Sequence, residues 1–235
     1  MNRTGIICAL HFEASAFTRS PHAVPARQPV KLNEQTLLVV SGMGRERAKQ
    51  AAQTLIEANA DYLISFGSAG ALAPELKPGD LVQPGEVLDA GRRYTVNTFL
   101  SEAARQRLAQ QSIAVRDGPL ACVDEVAAST DAKQALHRQT GAVAVDMESA
   151  GILEAAGHEG LPVFVLRVIT DNADMTLPDA ILRHIDDFGR VNAPSLGLEL
   201  LTSPGQVPAA LRLACASRRA GKIMRIVAQE VLDHH

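Results

Sequence analysis

The sequence predicts an α/β fold, a three-layer αβα sandwich around a central mixed, mostly parallel sheet. Short apolar runs bounded by turn residues recur along the chain, and they are continuous rather than alternating, which is typical of strands covered on both faces. Helical patterns lie between these runs, and this alternation favours a parallel sheet with helices on both sides. The 235 residues, 46% of them hydrophobic, suit one domain with one core.

The predicted elements follow one another from residue 5 to residue 188. The strands are GIICAL (5–10), TLLVVS (36–41), YLISFG (62–67), DLVQPGEVL (80–88), AVAVD (142–146) and PVFVLRVI (162–169). Helices are predicted at roughly 44–58, 100–111, 131–140, 147–160 and 178–188. Together they define an α/β domain over residues 1–200, to which residues 201–235 add a C-terminal amphipathic helix.

Composition excludes several classes of function. The net charge of −3 and the aromatic content of 3% argue against a nucleic-acid partner. The three cysteines are far apart in the sequence, so neither a disulfide framework nor a metal site is predicted, and no organic cofactor is implied. The chain has no apolar stretch long enough to span a membrane and no signal-peptide pattern, which predicts a cytoplasmic protein.

Acidic residues and glycines follow several of the predicted strands, at the edge of the sheet where ligands of open α/β folds bind. Asp171 comes directly after the last strand, where burial would raise the pKa of its carboxyl group and suit it to general acid catalysis; a capping role for the next segment is the alternative. Glu148 begins a helix, so it either interacts with the helix dipole or accepts hydrogen bonds from a sugar diol beside Met147.

Two glycine turns offer backbone donors at the same edge. Ser68, Ala69 and Gly70 follow the third strand and predict backbone N–H groups close to a ligand, although a plain turn would look similar. Gly44 and Arg45 follow the second strand and leave open either an anion site or a solvated helix face. A nicotinamide cofactor remains a weak rival, because Arg47 stands where the third glycine of a dinucleotide motif is expected.

Five motifs together resemble the nucleoside phosphorylase and methylthioadenosine/S-adenosylhomocysteine nucleosidase superfamily. They are CALHFE, SGMGRERA, FGSAGALAPELKPGDLV, VAVDMESAGI and VLRVITDNAD, in matching order over about residues 5 to 175. The following segment, DNADMTLPDAILRHIDDFGRVN, resembles the hopanoid-associated branch, whose members are thought to release adenine from adenosylhopane.

The resemblance implies a role for each candidate residue. Glu148 would bind the ribose hydroxyls beside Met147, Asp171 would protonate N7 of the departing purine, and Glu13 would activate water. Val126 stands where nucleosidases of the superfamily carry an aromatic residue that stacks on the base, so the base specificity stays open. Ser65 stands where the phosphorylases carry an arginine, so water is favoured, while inorganic phosphate as a co-substrate stays open.

The sequence therefore predicts an enzyme that cleaves the N-glycosidic bond of a purine nucleoside. Within this class, the predicted substrate is an adenosine with a large apolar 5′ group. A phosphorylase of ordinary nucleosides and a nucleotide-binding or membrane-associating protein without turnover are the rivals. The resemblance also implies a homo-oligomer, with a dimer expected. Residues 206–232 form a basic amphipathic pattern, typical of a packing helix but also compatible with peripheral contact to the inner face of a membrane.

Overall fold

The computed structural model describes residues 3–18 and 24–233. In this part of the chain, eleven strands form one sheet. The strands are β1 (Thr4–Cys8), β2 (Val30–Lys31), β3 (Thr36–Val40), β4 (Tyr62–Ala71), β5 (Leu81–Val82), β6 (Glu86–Asp89), β7 (Arg92–Thr95), β8 (Val115–Arg116), β9 (Leu120–Cys122), β10 (Ala144–Asp146) and β11 (Val163–Asp171).

Helices lie between and after these strands. They are α1 (His11–Ala14), α2 (Arg45–Glu57), α3 (Glu102–Gln110), α4 (Thr130–Thr140), α5 (Ser149–Glu159), α6 (Asp179–His184), α7 (Ala193–Thr202) and α8 (Val207–Leu232). Capping residues fix several of the boundaries. Ser101 accepts a hydrogen bond from Ala104 N at the start of α3, and Gly141 ends α4 in the left-handed conformation.

The sheet is mixed and mostly parallel, as predicted. Its main order is β2-β3-β1-β4-β10-β9-β6-β7, and β11 pairs with β4 and β5. The central strands β3, β1, β4 and β11 are parallel to one another, whereas β10 is antiparallel to β4. Because β4 is ten residues long, it pairs with β1 and β11 along most of its length and with β10 at its end. The carboxyl ends of β1, β4, β10 and β11 therefore meet.

Two apolar clusters cover the two faces of the sheet. Ile7 of β1 belongs to one cluster, with α2 and α5, while its neighbours Ile6 and Cys8 belong to the other, with α3 and α8. This alternation follows from the strand geometry, in which successive side chains point to opposite faces. The arrangement is the three-layer sandwich that the sequence predicts.

Some predicted elements differ from the structure. The run DLVQPGEVL is two strands, β5 and β6, because Pro84 and Gly85 interrupt it. Four strands are not predicted from the sequence because they have only two to four residues each, too few for a periodic signal: β2, β7, β8 and β9. Helix α7 is not predicted either, and the helix expected at 178–188 is limited to Asp179–His184.

Helix α8 uses its apolar face to cover the sheet. Ala216, Ala220, Met224, Val227 and Val231 are buried, and the last four pack in the same cluster as the core of β1. The packing interpretation of residues 206–232 is therefore confirmed, because the sheet occupies this apolar face. Peripheral membrane contact of this segment stays a prediction. Among the described residues, no helix is long and apolar enough to cross a membrane.

Candidate active site

A cavity with a volume of about 160 Å³ opens where the carboxyl ends of β1, β4, β10 and β11 meet. The residues predicted to act, hold the sugar or surround the base all line it: Glu13, Ser68, Ala69, Gly70, Val126, Met147, Glu148 and Asp171. The fold brings these residues together from five separate parts of the chain. Their chemical roles remain predictions.

Glu13 lies in α1, directly after β1, and its carboxylate is held by four donors. Oε1 accepts hydrogen bonds from the backbone N of Ser68 at 2.8 Å and from its Oγ at 2.6 Å. Oε2 accepts from the backbone N of Ala9 at 2.9 Å and of Leu10 at 3.1 Å. Burial raises the pKa of Glu13 above its ordinary value, while the bonds from Ser68 oppose this rise.

The segment Gly67–Gly70 is part of β4 rather than a turn after it, since Gly67, Ser68 and Ala69 pair with consecutive residues of β11. Its glycines make room for acids. A Cβ on Gly67 would lie 2.9 Å from both carboxylate oxygens of Glu13, and a Cβ on Gly70 would lie 3.1 Å from Oδ2 of Asp171. The expected turn with free backbone donors is thus wrong: the N–H of Ser68 already serves Glu13.

A second, very small cavity adjoins Glu13. It is lined by Ser68, Glu148 and Arg167 among others, and its volume of about 10 Å³ is close to the minimum that one water molecule requires. The cavity thus has carboxylate, hydroxyl and guanidinium groups around a space of about the size of one water molecule.

Arg167 is a functional candidate that the sequence analysis missed. It lies inside β11 with 2% of its surface exposed. Its guanidinium donates to Asp146 Oδ2 at 2.7 and 2.9 Å, to Ser65 Oγ at 2.6 Å and to Ser149 Oγ at 2.9 Å. The available signal was a single arginine within the apolar run VFVLRVI, because a buried charge requires partners.

Glu148 precedes α5 but does not cap it with its side chain. Oε1 instead accepts a hydrogen bond from Gly44 N at 2.8 Å, which fixes the carboxylate on the cavity wall. Burial, followed by the negative charge of Asp146, raises the pKa of Glu148 to about 7. Met147 lines the cavity next to it. This geometry leaves Glu148 able to accept further hydrogen bonds from a ligand.

Asp171 is the last residue of β11 and is nearly buried, with 5% of its surface exposed. The next helix, α6, begins only at Asp179 after Pro178, so Asp171 does not cap it. Thr170 Oγ1 donates to Oδ1 at 3.0 Å, and the ammonium of Lys133 in α4 donates to Oδ2. Lys133 is not predicted as a site residue from the sequence, because its partner Asp171 lies 38 residues away along the chain.

Comparison with known proteins identifies the family of this chain. A sequence model of the phosphorylase superfamily matches residues 3–198. The chain belongs to the phosphorylase superfamily. The predicted family and fold class are thereby confirmed, and so is the enzyme class, that of proteins that cleave N-glycosidic bonds.

Its relatives in this superfamily include 5′-methylthioadenosine/S-adenosylhomocysteine nucleosidases. That of Staphylococcus epidermidis is 29% identical over 164 residues, which cover 61% of this chain and 72% of that protein. That of Buchnera aphidicola subsp. Acyrthosiphon pisum is 24% identical over 173 residues, or 66% and 75% of the two chains.

Two solved structures share the fold of this superfamily member. A nucleosidase of the same name from Helicobacter pylori, crystallised with butyl-thio-DADMe-Immucillin-A, gives a TM-score of 0.67 at 20% identity and covers 98% of this chain and 99% of its own. The futalosine hydrolase of Helicobacter pylori strain 26695 also gives 0.67, at 19% identity, with 97% and 98% covered.

The anion site left open at Gly44 and Arg45 is not formed in this phosphorylase superfamily member. The N–H of Gly44 donates to Glu148, and the guanidinium of Arg45 pairs with Asp89 and Asp124 outside the main cavity. Asp89 belongs to β6, which lies far along the chain from Arg45, so the local pattern could not indicate this pairing. Val126 lines the cavity with 43% of its surface exposed.

Proposed function

We propose that this protein cleaves the N-glycosidic bond of a purine nucleoside with water as the nucleophile. The observation that carries the proposal is the arrangement of three carboxylates around one cavity, with Asp171 at the end of β11 and Glu13 and Glu148 bordering the small water-sized cavity. Cleavage builds positive charge on the ribose and negative charge on the base. Carboxylates near the sugar and an acid at the base stabilise both changes.

Each side chain has a distinct task in this reaction. Glu148, held by Gly44, accepts hydrogen bonds from the 2′ and 3′ hydroxyls of the ribose. Asp171 gives a proton to N7 of the purine as the bond breaks. Glu13 takes a proton from the attacking water, and the burial that raises its pKa makes it a stronger base than an exposed carboxylate. Met43 and Met147 supply apolar walls for the sugar.

Water suits the site better than inorganic phosphate. The small cavity beside Glu13 has space for about one water molecule and is bordered by the carboxylates of Glu13 and Glu148, which would repel an anion. Arg167, the arginine that lines the small cavity, is already paired with Asp146. Arg45 and Arg47 are paired with acids elsewhere, so they do not offer the charge that a phosphate requires.

We further propose adenosine with an apolar 5′ group, such as adenosylhopane, as the substrate. Apolar residues border the main cavity: Leu10, Met43, Val126 and Leu177. The relatives are named as nucleosidases of 5′-methylthioadenosine and S-adenosylhomocysteine, which are adenosines modified at the 5′ position. A homodimer is proposed on the resemblance and on the frequency of two-fold dimers among soluble proteins.

The decisive experiment measures adenine release from adenosine, methylthioadenosine and adenosylhopane, each with and without inorganic phosphate. Release in phosphate-free buffer with free ribose as the second product is expected. Release that requires phosphate and yields ribose 1-phosphate would identify a phosphorylase instead. Absence of release from every substrate under both conditions would leave a binding protein without turnover.

A further inference from the structure

Lys133 is a buried lysine of α4 with none of its surface exposed. Its ammonium donates to the carbonyl oxygens of Asn172 at 2.8 Å and of Met175 at 2.9 Å, and to Oδ2 of Asp171. An ammonium has three N–H donors and no acceptor, and these three partners match it one to one. The segment after β11 is thus folded around this charge.

Asp171 is the acidic partner of this ammonium. Lysine is almost never fully buried without such a partner. The residues that face Asp171 from β4, Ala69 and Gly70, are uncharged, and Thr170 contributes a hydroxyl. The other titratable groups that line the cavity are the acids Glu13, Asp146 and Glu148. Among the described residues in contact with Asp171, Lys133 is therefore the source of positive charge.

We propose that Lys133 is a positioning residue that orients Asp171 and stabilises the negative charge that Asp171 acquires when it protonates the leaving base. The proposal rests on the proposed function. In this step the O–H bond of Asp171 breaks and an N7–H bond forms. The electron pair of the glycosidic bond passes to the purine, and Lys133 keeps its three protons throughout.

The stabilisation is greater in the transition state than in the ground state. In the reacting form Asp171 carries the proton and the ammonium faces a neutral acid; as the proton leaves, Asp171 becomes a carboxylate next to a fixed cation in a site with little water. Interactions of this kind accelerate the chemical step rather than substrate binding. The effect of Lys133 should accordingly fall on kcat.

The same contacts separate kcat from KM. Lys133 donates to Asp171 and to two backbone carbonyl groups, so replacing it with an uncharged residue should lower kcat and leave KM for the nucleoside nearly unchanged. A residue needed only for folding would lower the rate whether or not Asp171 is present.

The test compares wild type, Lys133→Met, Asp171→Asn and the double variant, with kcat and KM for adenine release measured at one pH. We expect Lys133→Met to lower kcat by about tenfold or more and to change KM by less than about twofold. In the Asp171→Asn background, Lys133→Met should change kcat by less than about twofold, because no proton is left to transfer. Lys49→Met, at a lysine of α2 outside the cavity, is the matched control and should leave kcat and KM unchanged.

A change that falls on KM rather than on kcat, or a loss of kcat that is equally large in the Asp171→Asn background, overturns the proposal. Circular dichroism and gel filtration check that each variant is folded. If Lys133→Met does not fold, Lys133→Gln removes the charge but keeps two N–H donors for the two carbonyl groups, and kcat and KM are measured on it in both backgrounds. Failure of the proposed function is distinguishable, since wild type itself would then release no adenine.

Discussion

Gly67 provides the space that the carboxylate of Glu13 occupies, because a Cβ at Gly67 would lie 2.9 Å from both of its oxygens. Gly67 does not have a positive φ angle, so its backbone conformation does not require a glycine. The close approach of the Glu13 carboxylate is what excludes a larger residue at this position. Since Glu13 is anchored by Ser68 in the same strand, β4 both admits and orients the proposed base.

Gly67→Ala should displace Glu13 and lower kcat by about tenfold or more, because a misplaced general base loses most of its contribution to the rate. Overpacking should also lower the free energy of unfolding by about 1 to 3 kcal/mol. The matched control is Gly157→Ala, in α5, where an added Cβ meets no neighbour within 4 Å. Full activity of Gly67→Ala would show that Glu13 is not needed in its present position.

Asp171→Asn should lower turnover by more than about tenfold while the protein stays folded, since asparagine has a similar volume but no proton to give at neutral pH. Steady-state kinetics of adenine release measure the effect. Asp174→Asn serves as the control because Asp174 is exposed and outside the cavity. If Asp171→Asn retained wild-type turnover, the proposed mechanism would be wrong.

Much of the candidate site could be predicted from the sequence because it follows from the sheet. Glu13, Glu148 and Asp171 lie at or shortly after the carboxyl ends of buried strands, and these ends meet at one edge of the sheet. Lys133 and Arg167 could not be predicted in this way. Their partners lie 38 and 21 residues away along the chain, and only the folded packing brings each cation to its acid.

Local patterns also misled the interpretation where long-range pairing decides the outcome. Gly67 and Gly70 suggested a turn with free donors, but pairing with β11 continues the strand through them and leaves space for two acids. Arg45 suggested an anion site, but Asp89 binds its guanidinium. Glycine and arginine each have several structural uses, and the neighbouring strand determines which one applies.

Glu148→Gln should impair the cleavage of ribosides more than that of 2′-deoxyribosides. A carboxylate accepts a stronger hydrogen bond from a hydroxyl than an amide does. A 2′-deoxyriboside has no 2′ hydroxyl, so it does not form this bond and is affected less by the substitution. The ratio of kcat/KM for adenosine to that for 2′-deoxyadenosine should fall by about tenfold, which corresponds to about 1.4 kcal/mol. An unchanged ratio would mean that Glu148 does not bind the 2′ hydroxyl.

Glu148→Gln should also stabilise the protein at alkaline pH. Burial and the charge of Asp146 raise the pKa of Glu148 from 4.5 to about 7, so between these values the folded state holds a proton that the unfolded state has lost. The free energy of unfolding of wild type therefore falls as pH rises through this window, by up to about 3 kcal/mol from this group.

Glutamine does not titrate, so the stability advantage of the variant should be small near pH 4.5 and reach its full size above about pH 7.5. Urea unfolding at the two pH values measures this advantage, with Glu159→Gln, at the exposed last residue of α5, as the control. An advantage of equal size at both pH values would contradict a raised pKa, and would mean instead that Glu148 is ionised in the folded protein throughout this range.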